Sequence, residues 1–189
     1  MHAKSMVLMV VLGLSATLGG VLGAGQLSAP GSEPVKAPAM PALVEFDGAD
    51  SKIEKREFVR VMDSNAWLDL WCRHAGVPKD RTAWSGSCPK IDFSRCMVVA
   101  FFRGKAVNTR GEELQSADVV DGKLRLRFRS GWYQTMALSG EDKGESAVSY
   151  GIWVLPRSTN AVVVEEDVQH LIGKAPVWKE QATFDAVKD

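Results

Sequence analysis

The chain has no excess of charge of either sign: its 189 residues hold 23 Lys+Arg and 23 Asp+Glu. A nucleic-acid-binding domain needs a basic surplus to meet phosphates, so that class has no compositional support. Glycine (17) and proline (8) are too scarce for a collagen-like or wholly low-complexity chain. No period of about 20–50 residues recurs, which argues against solenoids and propellers. The G-x-S-x-G, H-E-x-x-H, phosphate-loop and dinucleotide-binding glycine patterns are missing. Ser87-Cys88-Pro89-Lys90 does spell S-x-x-K. That chemistry places Ser and Lys on adjacent helical turns, which Pro89 and Gly86 discourage, and neither S-D-N nor K-T-G occurs. The expectation is a non-enzymatic chain with no catalytic residues, no cofactor and no metal.

What is present begins with an uneven N-terminus. Residues 1–25 carry Lys4, then an apolar run from Met6 to Leu14, then small residues, and no acid. This is the pattern of a secretory signal peptide cleaved near Ala24 or Gly25. The alternative, an uncleaved anchor, is weakened by Ser15, Thr17 and Gly19-Gly20, which break the apolar run. No cysteine follows, so bacterial-type lipidation is excluded, and no membrane span is expected after signal removal. Residues 26–45 hold Pro30, Pro34, Pro38 and Pro41. Proline lacks an amide proton and restricts the residue before it, so this stretch reads as a disordered spacer. A single domain is expected over 46–184, with a tail at 185–189, in a secreted or periplasmic bacterial protein.

Within the domain, Phe58 to Met62 reads as a first strand. Asp63-Ser64-Asn65 offers helix-capping chemistry ahead of AWLDLWCRHAG, where Trp67, Leu68, Trp71, Cys72 and Ala75 form one stripe. Gly76 suits the C-cap, and Arg73 and His74 suit the helix dipole. MVVAFF at 97–102 is an uninterrupted apolar run of strand length, predicted to be buried on both faces. Leu114–Val120 is a weaker strand. Asp121-Gly122 is a hairpin signal leading into KLRLRFR, where Leu124, Leu126 and Phe128 alternate with Lys123, Arg125, Arg127 and Arg129. Trp132–Leu138 is expected to pair with Ser146–Leu155, and Ala161–Val164 to be a last short strand. The fold class is therefore α+β and β-rich: an antiparallel sheet, as a sandwich or a partly open barrel, with one short N-terminal helix packed on it.

Cys72, His74, Cys88 and Cys96 do not make a zinc set, because residues two apart on a helix point about 200° apart. In an exported chain the expectation is a disulfide plus a spare thiol. The preferred pair is Cys72 with Cys88, and Cys88 with Cys96 is the alternative. His170 reads as a surface residue. The basic stripe of Lys123 to Arg129 reads as a solvated sheet face, with an anionic surface as its other reading. Trp67 and Trp71 read as core. Trp132-Tyr133 reads as packing, with exposure as the alternative.

The order WLDLW, PKIDFSRCMVVAFFRGK, NTRGEEL, VVDGKLRLRF, SAVSYGIWVLPR resembles the PrcB C-terminal domain family over roughly residues 53–165. These are exported bacterial domains named for a protein that associates with and stabilises a secreted protease complex. The resemblance implies a protein-binding domain whose partner is a secreted protease or another envelope assembly. Where the family commonly has a Thr-Gly-Gly-Tyr-like turn, this chain has Thr109-Arg110-Gly111-Glu112, which implies altered specificity and a solvent-facing Glu112. Asn108, Thr109, Arg110, Gly111 and Glu112 are accordingly the candidate binding residues, on a loop over a rigid sheet. Ser139–Ser146, between the later strands, is a second polar segment. The alternative function is a small hydrolase or carbohydrate-binding module using Trp132-Tyr133.

Overall fold

The computed structural model describes residues 42–78, 88–135, 144–169 and 173–188. The expected signal peptide, most of the spacer, Ser87 and His170 lie outside them. The described chain forms strands β1 (Val44–Gly48) and β2 (Glu57–Val61), helix α1 (Ser64–Ala75), and strands β3 (Cys96–Val107), β4 (Thr109–Val120) and β5 (Lys123–Trp132). Strands β6 (Ser146–Pro156), β7 (Val162–Asp167) and β8 (Trp178–Phe184) follow. They make two four-stranded sheets, in the orders β1-β6-β3-β2 and β4-β5-β7-β8. Val44 and Glu45 belong to β1, so regular structure begins inside the range expected to be spacer.

The hydrophobic patterns follow from which sheet is covered on which face. The first sheet is covered on both. Along β3, Met97, Val99 and Phe101 point into the core between the sheets, while Val98, Ala100 and Phe102 point into a second core beneath α1. Strand β6 divides likewise, with Trp153 and Leu155 on one side and Ile152 and Val154 on the other. A strand buried on both faces has no polar positions to alternate, hence the unbroken MVVAFF run. The second sheet is covered on one face only, and its β5 alternates Leu124, Leu126 and Phe128 inward with arginines outward.

Helix α1 is capped as its sequence requires. The Asp63 carboxylate accepts from the backbone N–H groups of Asn65 (2.9 Å) and Ala66 (3.0 Å), and Gly76 closes the helix at φ 71°. Of the predicted stripe, Trp67 and Cys72 are buried and Trp71 packs against the core, while Leu68 and Ala75 are half-buried; Leu70 and His74 join the buried face, with His74 against Tyr150 and Phe102. Asp121 and Gly122 turn β4 into β5 with φ of 51° and 71°, the left-handed pair a tight hairpin needs.

Three expectations are corrected. Strand β6 pairs with β3 and β1, while Trp132 pairs with Thr109 of β4; residues 136–138 of the expected partner segment, and 139–143 of the second polar segment, lie outside the described residues. Strand β7 runs parallel to β5, because β6 crosses to the opposite sheet between them. Strand β8, unforeseen because WKEQATF is largely polar, pairs with β7 along its outer edge.

Candidate functional site

The predicted binding segment is not a loop. Asn108 is a one-residue corner at φ 57° between β3 and β4, carrying the chain from the first sheet to the second. Its backbone N–H donates to the Glu145 carbonyl (2.8 Å), its carbonyl accepts from Tyr133 N–H (3.0 Å), and its side-chain oxygen accepts from Glu145 N–H (2.7 Å). Thr109 is 1% exposed. Gly111 has no room for a Cβ, which would stand 2.6 Å from an Asp47 carboxylate oxygen and 3.0 Å from the Gly48 nitrogen. Arg110 alone of the five is exposed, with its guanidinium 5.1 Å from the Tyr133 ring centroid.

Glu112 corrects the solvent-facing expectation outright: it is 0% exposed. The inward-facing positions of several strands stay apolar to one level and then turn polar. Met97-Val99-Phe101 is followed at the same spacing by Arg103, Leu124-Leu126-Phe128 by Ser130, and Val162-Val164 by Glu166. Strand β6, running the other way, arrives at Ser149. Together with Glu112 these residues plug one end of the sandwich. Arg103 Nε donates to Glu112 Oε1 (2.7 Å), and its Nη2 donates to Glu166 Oε1 (2.6 Å) and to Glu112 Oε2 (3.1 Å). Ser130 Oγ lies 2.6 Å from Glu112 Oε2, and Ser149 Oγ donates to Glu112 Oε1 (2.8 Å). Burial opposes the charge of Arg103, yet the hydrogen bonds and charges of Glu112 and Glu166 hold the guanidinium above its ordinary range. Burial would likewise raise Glu166, but Arg103, Ser130 and Arg56 bring it below the usual carboxylate range. Every polar atom named here has a hydrogen-bond partner.

Trp132 lies over the plug. Its ring centroid is 5.2 Å from the Arg103 guanidinium carbon, whose distance to the Phe101 ring is also 5.2 Å. The guanidinium is thus held by two carboxylates and two aromatic faces, while Trp132 remains 48% exposed. Tyr133 Oη donates to Glu145 (2.7 Å), which keeps the next aromatic in place beneath Arg110. A groove of about 510 Å³ runs from Arg110 past Gly111 and Gly131 to Glu45, Asp47 and Arg129. Glu45 is committed within the fold, accepting from Leu114 N–H (2.8 Å) and Trp153 Nε1 (3.1 Å).

The remaining sequence candidates are placed as follows. Cys72, Cys88 and Cys96 are all free thiols, so the Cys72–Cys88 bridge is not formed. Cys72 is buried in α1, and Cys88 packs against the core beneath that helix, where hydrophobic contact takes the place of a covalent link. Burial pushes the Cys88 thiol above its ordinary pKa, with the neighbouring Cys72 adding to it. No cluster of three or more metal-ligating side chains occurs among the described residues. The basic stripe is not simply solvated: Arg125 and Arg127 pair with Glu165 (3.4 and 2.8 Å) and Arg129 with Asp167 (3.2 Å). Among the described residues no helix is long and apolar enough to cross a membrane. Comparisons with protein-family models, with curated proteins and with solved structures give no match for this chain.

Proposed function

We propose that the chain is an exported, non-enzymatic domain that binds a protein partner through the corner surface of Trp132, Arg110 and Tyr133. The observation that carries this reading is the state of Trp132, half exposed yet fixed over an arginine that is itself locked from below. Tryptophan and arginine dominate the energetics of protein interfaces, and anchors ordered before binding lose little entropy on binding. The sequence resemblance points to a secreted protease or another envelope assembly as the partner. The groove beside Arg110, with Asp47 and Glu113 on its walls, is the feature that would serve a carbohydrate instead.

Crosslinking in the exported fraction, followed by affinity measurement on the captured partner, tests the proposal. Trp132→Ala is expected to weaken binding by at least about 2 kcal/mol and Arg110→Ala by about 1 kcal/mol, with the melting temperature of Arg110→Ala unchanged. Equal affinity in both variants would overturn it. Saturable binding of an oligosaccharide, abolished by Asp47→Asn, would favour the carbohydrate reading.

A further inference from the structure

A second groove, of about 540 Å³, lies where the start of β3 meets the end of β6, and it is lined by Ser94, Arg95, Arg157, Ser158, Thr159 and Asn160. Among the described residues none of its lining groups is a carboxylate. Its walls are fixed to one another. Arg157 N–H donates to the Arg95 carbonyl (2.7 Å), which closes the two segments together. Arg157 Nη1 donates to the carbonyls of Phe93 (2.8 Å) and Met62 (3.2 Å), so its guanidinium is planted on the backbone. The Ser158–Asn160 turn is held by Asn160 N–H donating to Ser158 Oγ (3.2 Å) and by Val187 N–H donating to the Thr159 carbonyl (2.8 Å).

A third cation stands behind. Arg60 donates to the Ser158 carbonyl (2.5 Å) and to the Asp185 carbonyl (2.9 Å). Burial, and then the positive charge of Arg157, draw its guanidinium below the ordinary value, which marks this region as electropositive. Asp92 stands beside Arg95 and offsets part of that charge, but its Oδ1 is occupied by the N–H (3.0 Å) and hydroxyl (2.5 Å) of Ser94.

We infer that this groove is a binding site for a tetrahedral oxyanion, a phosphate or sulfate monoester. The Arg95 guanidinium supplies charge and a planar pair of donors, Arg157 adds charge from a guanidinium anchored on the backbone, and the Ser158, Thr159 and Asn160 side chains supply further donors from a different segment. A planar carboxylate is satisfied by one guanidinium fork; four oxygens pointing to the corners of a tetrahedron use donors arriving from several directions. The site is separate from the Trp132 surface and shares no residue with it.

Backbone amide NMR of the full chain, titrated with inorganic phosphate, sulfate or acetate, is the test. Phosphate and sulfate are expected to give saturable shifts confined to residues 94–95 and 157–160, with acetate at least about five-fold weaker. Arg95→Gln, a substitution at an exposed position, is expected to weaken phosphate binding at least about five-fold, while Arg110→Gln leaves it unchanged. Arg157→Gln also removes backbone anchors, so Ser158→Ala serves as the second variant and is expected to weaken phosphate without loss of the folded spectrum. No saturable shift, acetate binding as well as phosphate, or Arg95→Gln titrating like the parent would each overturn the assignment. Glycerol phosphate and vesicles containing phosphatidic acid then separate a soluble or polymer-borne monoester from a lipid headgroup.

Discussion

At the scale of single residues, Glu112 concentrates the most consequence. It accepts from Arg103, Ser130 and Ser149 with no solvent to replace them. Removing one partner of a buried ion pair costs about 3–5 kcal/mol, because the other charge is left uncompensated. Arg103→Met, which strands both Glu112 and Glu166, is therefore expected to lose about that much stability in urea unfolding, and addition of Glu112→Leu to recover part of it. If the single substitution unfolds at the same urea midpoint as the parent, the plug is not holding this end. His74 carries a pH dependence. Its Nδ1 stands 3.0 Å from Ser51 Oγ, and burial holds it below the ordinary histidine value, with Asp50 pulling weakly the other way. A histidine with a depressed folded-state pKa favours the folded state fully above its unfolded value of about 6.5 and loses that contribution as pH falls below it. Unfolding measured from pH 8 to pH 5 is expected to show this acid-side loss, and His74→Gln to flatten it. The sequence marked His74 as a helix-end charge because dipole logic sees only the helix. It cannot see Phe102 and Tyr150 arriving from the sheet below.

At the scale of elements, Gly104 marks the bulge where β3 shifts register against β6. Its φ is 79°, and a Cβ would stand 2.6 Å from the Glu54 carbonyl oxygen, with the Arg56 nitrogen at 2.9 Å. Both obstacles are backbone, so neither rotates away. Gly104→Ala is expected to cost more than the usual 1–2 kcal/mol for a strained left-handed residue, measured by thermal unfolding; a loss under about 0.5 kcal/mol would show that the neighbouring backbone yields. Helix α1, its caps, β2, the apolar centre of β3 and the β4–β5 hairpin were legible because each carries a local signal: Asp63, Gly76, MVVAFF, Asp121-Gly122. Strand β8 was not, since an edge strand facing water needs no hydrophobic alternation. The polar continuation of the inward register was legible in principle. Arg103, Ser130 and Glu166 keep the spacing of the apolar residues before them, but a charged residue at an inward position reads as the end of a strand unless its partners are known.

At the scale of the whole molecule, the sandwich is closed along both flanks by side chains rather than by shared strands. Glu45 of β1 holds β4, while Arg56 reaches Gln181 of β8 (2.8 Å) and Glu166 (3.4 Å). The fold class was legible from spacing alone, but pairing was not, because which strands meet depends on crossovers between sheets. No covalent staple adds to this. The denatured chain is expected to show three reactive thiols by Ellman titration, with Cys88 reacting ahead of the buried Cys72 under native conditions. A single reactive thiol would mean a bridge forms after all.

The pairing of β1 with β6 sets an order of events as well as a shape. Glu45 and Trp153, bonded in the finished sandwich, are 108 residues apart in sequence. Strand β1 has no partner in its own sheet until β6 has been synthesised. Closing so long a loop precedes the reward of the contacts it brings, which slows folding. The delay makes arrival of β6 the event that commits the molecule to its native form.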